Sequence, residues 1–261
     1  MKQLALALSG GGARGIAHVG VLAALDELQI PVARLAGVSS GAIVGALYAA
    51  GLPPRAILRE IERASLFRLL LRPAFSWRGL LSTRGIAQEL ARLLGGPEVG
   101  FGQLAKPLTV VATDLLAGAA VAFTTGALLP PLLGTTAVPL LFRPVEHQGR
   151  LLVDGGVLNL LPVEPLLATA GPNEVVIAAN SNPVGPRTAG QLAGLPRLLE
   201  RTFHLALHGN TQPSIERAAL LLEPPELVQW RVSDYRRAPQ LFELGYRHTL
   251  GRAAELHALL R

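Results

Sequence analysis

Residues 4–20, LALALSGGGARGIAHVG, join three signals whose combination decides the fold. Leu4 to Leu8 form a short apolar run suited to a buried strand, and Gly10, Gly12 and Gly15 then satisfy the spacing G-x-G-x-x-G. After them Ile16, Val19, Val21, Leu22, Leu25 and Leu28 recur at helical spacing, with Pro31 beyond the end. The product is a strand, a glycine loop and a helix. Such a loop turns backbone N–H groups toward an anion, either a dinucleotide phosphate or an oxyanion that exists only in a transition state.

Downstream the alternation continues. VARLAGVSSGAIVGALYAAG, from Val32, reads as a strand to about Val38 and then a helix of small residues closed by Gly51, with Pro53 and Pro54 after it. Residues 53–94 are helical in pattern, interrupted at RPAFSWRG, and form an excursion before the sheet resumes. PLTVVATDL, AVAFTT, RLLVDGG and EVVIAAN read as strands, interleaved with the helical VEPLLAT and a leucine-rich helix around Leu195 to Leu207. This alternation predicts an α/β fold, a three-layer sandwich with a mostly parallel central sheet. The expected organisation is a core over residues 1–185 and a C-terminal helical extension, 186–261, packed on the same domain.

Composition narrows the chemistry. The 261 residues are 50% hydrophobic, enough for a substantial core, and carry a formal net charge of +6. Arginines supply most of the positive charge but are scattered through predicted helices, which points to solvated faces and away from nucleic acid. The absence of cysteine excludes a thiolate nucleophile, a disulfide framework and a cysteine zinc site, and no metal or cofactor is expected. The N-terminus lacks a secretory pattern, because its apolar run passes straight into glycines. The uncharged stretch Leu115 to Phe142 is broken by Gly118, Gly126, Pro130, Pro131, Gly134 and Pro139, which predicts buried structure and no membrane span. A cytoplasmic location follows as an expectation.

Gly37, Val38, Ser39, Ser40 and Gly41 match G-x-S-x-G between a strand and a helix, the context in which a tight turn projects a serine hydroxyl. The dinucleotide reading requires an acidic residue near this strand end to hold ribose, and the chain offers Ser39 instead. If the two strands are parallel neighbours, Gly10, Gly11 and Gly12 can present N–H groups to a carbonyl attacked by Ser39. The serine needs a base. His18 lies within the first helix, His248 and His257 lie in a C-terminal helical stretch, and none of the six histidines, His147, His204 and His208 included, follows a strand with a glycine turn. Asp154 does, in LLVDGG, ahead of Gly155 and Gly156; Asp114, in VVATDL, lacks the glycine pair and reads as structural.

Taken together, GGGARG, GVSSG and DGG, in that order, resemble the bacterial branch of the patatin-like phospholipase family. ATDLLAG, TTAVPLLFRPV and DGGVLNLLPV add to the likeness, which covers most of Gln3 to Pro183. The resemblance implies a dyad of Ser39 and Asp154 without histidine, an oxyanion loop of Gly10, Gly11 and Gly12, and Arg14 at the family's basic position, with Gly37, Gly41, Gly155 and Gly156 in support. Where the family has two consecutive asparagines after the dyad glycines, this chain has Asn159 and then Leu160.

The implied substrate is a lipid acyl ester, phospholipid or lysophospholipid, or a smaller acyl ester. A local hint of peripheral membrane contact lies in LFRLLLRPAFSWRGLLSTRG, where Leu, Phe and Trp77 interleave with Arg68, Arg72, Arg78 and Arg84. Against the hydrolase stand a non-catalytic interaction protein on the same scaffold, a nucleotide-binding protein and a Ser-His-Asp enzyme. Oligomeric state is not legible in the residues.

Overall fold

Strand β1 (Gln3–Leu8) sends Leu4, Leu6 and Leu8 to one face of the sheet and Ala5 and Ala7 to the other, so a single strand feeds two cores. The computed structural model describes residues 2–64, 73–76, 79–81 and 83–261. On the leucine side lie helices α1 (Ile16–Glu27), α2 (Ser40–Ala49) and α3 (Pro54–Ala64). The alanine side is thinner and is covered by Leu161, Val163 and Leu166, the last on the short helix α6 (Glu164–Leu167). Small side chains on that face let the covering layer sit close. Three layers result, as the alternation of strands and helices predicts.

β1 pairs in parallel with β2 (Val32–Gly37) on one side and with β9 (Glu174–Ala179) on the other. Beyond β2 comes the fully buried β5 (Leu108–Asp114), also parallel. The remaining neighbours of β5, namely β6 (Ala119–Phe123) and β8 (Arg150–Val153), run antiparallel to it. β7 (Val145–His147) closes that edge as a hairpin with β8, through a turn in which Gln148 and Gly149 both have positive φ. The sheet is mixed but mostly parallel where β1, β2, β5 and β9 meet.

The excursion after Pro53 consists of α3, an antiparallel pair β3 (Pro73–Ser76) and β4 (Gly79–Leu81), and α4 (Arg84–Leu94). The interruption at RPAFSWRG is therefore a pair of short strands. Trp77, Arg68, Arg72 and Arg78, on which the membrane-flap reading rests, lie outside the described residues. The uncharged stretch after Leu115 forms β6 and α5 (Leu129–Thr135). Leu128 and Leu132 are fully buried, but Leu115, Leu116, Leu140 and Leu141 are exposed, so burial holds for only part of it. These leucines fall in the turn after β5 and the loop before β7.

The C-terminal segment returns to the core. After α7 (Leu195–Gly209) and α8 (Gln212–Arg217), the two-residue β10 (Leu221–Leu222) joins the sheet beside β9, and α9 (Ala238–Gly251) packs along α1. Glycines make that helix crossing tight: a Cβ on Gly245 would lie 1.9 Å from the Ala17 carbonyl oxygen, and one on Gly20 would lie 2.0 Å from that of Phe242. Caught between sheet and α9, α1 is buried nearly all round, beyond the single stripe its spacing predicts. The final helix, α10 (Ala253–Leu260), buries Leu256 and Leu260.

Candidate active site

Parallel pairing places the ends of β1 and β2 together, with Leu8 opposite Gly37, so counting two residues further sets Gly10 level with Ser39. A Cβ on Gly10 would lie 3.2 Å from the Ser39 Cβ. β5 locates the third member. Gly37 pairs with Val110 and Val153 with Thr113, and β6 occupies the other side of β5, so β2 and β8, continued in register along the same side, both run their next residues to the level of Ala112: Ser39 from β2 and Asp154 from β8. Because β8 is antiparallel, Asp154 arrives from beyond the C-terminal end of β5 and stops at the same level as the serine.

Ser39 occupies φ 52° and ψ −124°, a conformation costing a non-glycine residue about 1–3 kcal/mol. Its surroundings hold it there. The Ser39 N–H donates to Thr135 Oγ1 at 2.9 Å, and Thr135 in turn donates to the Val111 carbonyl at 2.5 Å. On either side of the turn the chain passes too close for a side chain: a Cβ on Gly37 would fall 2.6 Å from the Ala42 Cα, and one on Gly41 2.4 Å from the Ser9 carbonyl oxygen. The serine stands at the N-terminus of α2, where the helix dipole favours negative charge.

Asp154 is buried, 7% exposed, and its Oδ1 accepts the Gly156 N–H at 2.8 Å. Gly155 makes this possible, since a Cβ there would lie 2.3 Å from the Val111 carbonyl oxygen. Burial pushes the Asp154 carboxyl up to about 6, against the opposing pull of the Gly156 hydrogen bond and of the neighbouring Ser39 hydroxyl. The Leu160 side chain crowds both Gly10 and Gly156, so the residue standing where the family has asparagine adds to the dryness around the carboxylate. Asp114 is turned to structure: its Oδ1 accepts from the Leu116 and Leu151 N–H groups, and Arg150 lies 3.8 Å away.

The glycine loop is held from below. Gly10 donates its N–H to the Leu160 carbonyl at 3.1 Å, which removes it from the expected oxyanion donors. Gly11 and Gly12 have no acceptor for their N–H groups among the described residues. The Gly10 carbonyl accepts from Ser9, Ser181 and Asn182, and His18 Nε2–H donates to the Ser9 carbonyl at 2.9 Å. His18 is fully buried and pushed down to about 4 by burial, so it is a neutral brace. Gly12 has φ 57°, and a Cβ there would meet the Val232 carbonyl oxygen at 2.5 Å. Arg14, 3% exposed, points away from the serine; its Nε donates to the Trp230 carbonyl at 2.8 Å and Nη1 bonds His204.

Sequence reasoning missed Thr135, Ser181 and Asn182. Their signals were present: TT within an uncharged stretch, and the polar NSN directly after the buried strand β9, at the C-terminal edge where parallel sheets place ligands. No histidine hydrogen-bonds to Ser39 or Asp154 among the described residues: His204 bonds Arg14, His208 bonds Gln212, and His248 accepts from Glu223. Nor do three histidine or carboxylate side chains gather where a metal ion would fit, again among the described residues.

A strained serine at a strand-to-helix turn, a buried aspartate beside it and glycine N–H groups with no acceptor among the described residues lie together at one end of the sheet. The family model described as patatin-like phospholipase matches residues 6–167, and the chain belongs to that family. Uncharacterized NTE family proteins of Mycobacterium tuberculosis and Mycobacterium bovis are 38% identical over 186 residues, 70% of this chain and 51% of theirs. The chain thus spans about half the length of these relatives. Lysophospholipase NTE1 of Mycosarcoma maydis is 31% identical over 76% of this chain and 11% of its own length. Among solved structures, VipD of Legionella pneumophila shares the fold with a TM-score of 0.57 at 13% identity, covering 97% of this chain and 67% of that one. Human GIVD cytosolic phospholipase A2 gives 0.52 at 12% identity, covering 99% and 59%.

Proposed function

We propose that the protein is a serine acyl-ester hydrolase acting on phospholipid or lysophospholipid esters, with Ser39 as nucleophile and Asp154 as the side-chain base. The observation that carries this reading is the Ser39 hydroxyl, on a strained turn, set beside a buried carboxylate whose pKa is raised to about 6. An ordinary carboxylate is a poor base for a serine; one raised this far is still ionised at neutral pH and holds a proton more firmly.

Ser39 Oγ attacks the ester carbonyl carbon and passes its proton to Asp154. Gly11 and Gly12 N–H groups stabilise the oxyanion. Collapse expels the alcohol, which takes the proton from Asp154. Water then gives a proton to Asp154 as it attacks the acyl-enzyme, and the second collapse returns that proton to Ser39 with release of the carboxylic acid. No cofactor enters.

The lipid part of the reading is supported by family membership and by α7. Leu195, Leu198, Leu199 and Phe203 are exposed on its outer side, whereas Arg201 and His204 face inward and are half-buried. This helix turns its apolar side to solvent, the arrangement of an interfacial helix awaiting a lipid surface. No described helix is long and apolar enough to cross a membrane.

Fluorophosphonate labelling of wild type, Ser39→Ala and Asp154→Asn, with a panel of ester chain lengths, tests the dyad. Labelling should vanish in Ser39→Ala, and hydrolysis should fall about 10²–10⁴-fold in Asp154→Asn. Full activity in Asp154→Asn, with loss on changing a histidine, would falsify it.

A further inference from the structure

Behind the glycine loop, on the side of Arg14, lies a cavity of about 530 Å³ that contains neither Ser39 nor Asp154 in its wall. Five arginines line it: Arg14, Arg187, Arg197, Arg201 and Arg231. Four of them lie beyond residue 167, where the family match ends. Glu200 is the sole carboxylate in the wall, and no carboxylate lies within ion-pair distance of any of the five guanidiniums among the described residues.

Three of these arginines are fixed by carbonyl groups: Arg14 on Trp230, Arg187 on Val228 at 2.6 Å, and Arg201 on Gly185 at 2.8 Å. Carbonyls orient guanidiniums without neutralising them. The strain of gathering them is visible in two groups: burial and then Arg187 hold Arg14 down to about 10, and burial followed by Arg14 and Arg201 holds His204 down to about 4. The buried indole N–H of Trp230, another wall residue, has no acceptor among the described residues. Glu200 and Asp234 offset part of this charge from a distance, but no contact ion pair forms among the described residues, and a buried arginine such as Arg14 beside an orphan donor is costly unless an anion completes the group.

We propose that this cavity binds a phosphate group. Arginine forks match phosphate oxygens bidentately, and the volume lies in the range of small-ligand sites. The phosphate can belong to a lipid headgroup or to a soluble phosphate, and α7 makes both testable, since it gives Arg197 and Arg201 to the cavity and its leucines to the surface.

The test measures binding, so it stands apart from hydrolysis: an inactive protein that still binds phosphate would sink the proposed function and leave this site intact. Inorganic phosphate is titrated into the full chain by calorimetry at constant ionic strength set with chloride. Cosedimentation is measured with phosphatidylcholine vesicles, with and without phosphatidic acid. The variant is Arg197→Gln with Arg231→Gln, whose guanidiniums make no hydrogen bond to the protein among those described; Arg59→Gln with Arg247→Gln carries the same charge change elsewhere. Phosphate affinity should fall about tenfold or more in the cavity variant and stay near wild type in the control. Binding of phosphatidic acid vesicles alone, lost selectively in the cavity variant, assigns the phosphate to a lipid; binding of inorganic phosphate alone assigns it to a soluble ligand. Equal behaviour of the two variants, or no binding of either probe by wild type, overturns the site.

Discussion

Replacing Asp154 by asparagine should stabilise the protein at neutral pH while disabling it. The folded-state pKa of Asp154 is about 6, above its ordinary value of 3.8, so folding favours the protonated form. The sign follows from linkage: below pH 4 the carboxyl is protonated in both states and costs nothing. Between pH 4 and 6 the unfolded chain ionises first, and above 6 the folded protein carries the whole penalty. A shift of roughly two units is worth about 3 kcal/mol, an upper limit for what asparagine recovers, since its side-chain oxygen still accepts the Gly156 N–H. Urea unfolding of wild type and Asp154→Asn at pH 4 and pH 7.5 reads the difference, and only the difference between the two proteins matters. The variant should gain roughly 2–3 kcal/mol at the higher pH and almost nothing at the lower. The same ionisation should give wild-type kcat/KM an acidic limb near pH 6. A gain that does not change with pH, or a loss at pH 7.5, refutes the argument that a dry carboxylate is held beside Ser39 at a cost to stability.

Two further substitutions probe the turn. Ser39→Gly should be more stable than Ser39→Ala by about 1 kcal/mol, the reverse of the usual order, because φ 52° suits glycine; equal melting temperatures would show that the turn relaxes without the serine. Thr135→Val preserves shape but leaves the Ser39 N–H and the Val111 carbonyl unpaired in a buried place, so it should cost about 2 kcal/mol or more and lower kcat with little change in KM. An unchanged kcat would show that Thr135 does not position the serine.

What was legible in the sequence was local. The glycine loop, the G-x-S-x-G turn and the aspartate before paired glycines each depend on backbone geometry that only certain residues permit, and this is written within a few positions. Long-range partners left no such mark. Thr135 reaches Ser39 across 96 residues, and Ser181 and Asn182 reach Gly10 across more than 170, because a helix end and separate strand ends meet at one sheet edge. The leucine-rich α7 was legible as a helix, but periodicity cannot tell which face meets the protein, and this one meets it with arginine and histidine.

Strand direction was the consequential gap. Alternation of strands and helices suggests that each strand ends at the same edge, which would carry Asp154 there as it carries Ser39. β8 runs the other way, and the residues responsible are Gln148 and Gly149, whose positive φ values make the two-residue turn of a hairpin. The reversal still delivers the carboxylate, because a strand entering from beyond the edge reaches Ala112 just as its apolar run LLV gives out and the glycines begin. Entry from that side also explains the dryness of the site. Asp154 is covered by the strand that brings it and by Leu160, whereas a parallel strand would have released it into an open loop at the sheet edge. The raised pKa is therefore a product of topology as much as of neighbouring residues, and the pH dependence of Asp154→Asn tests both together.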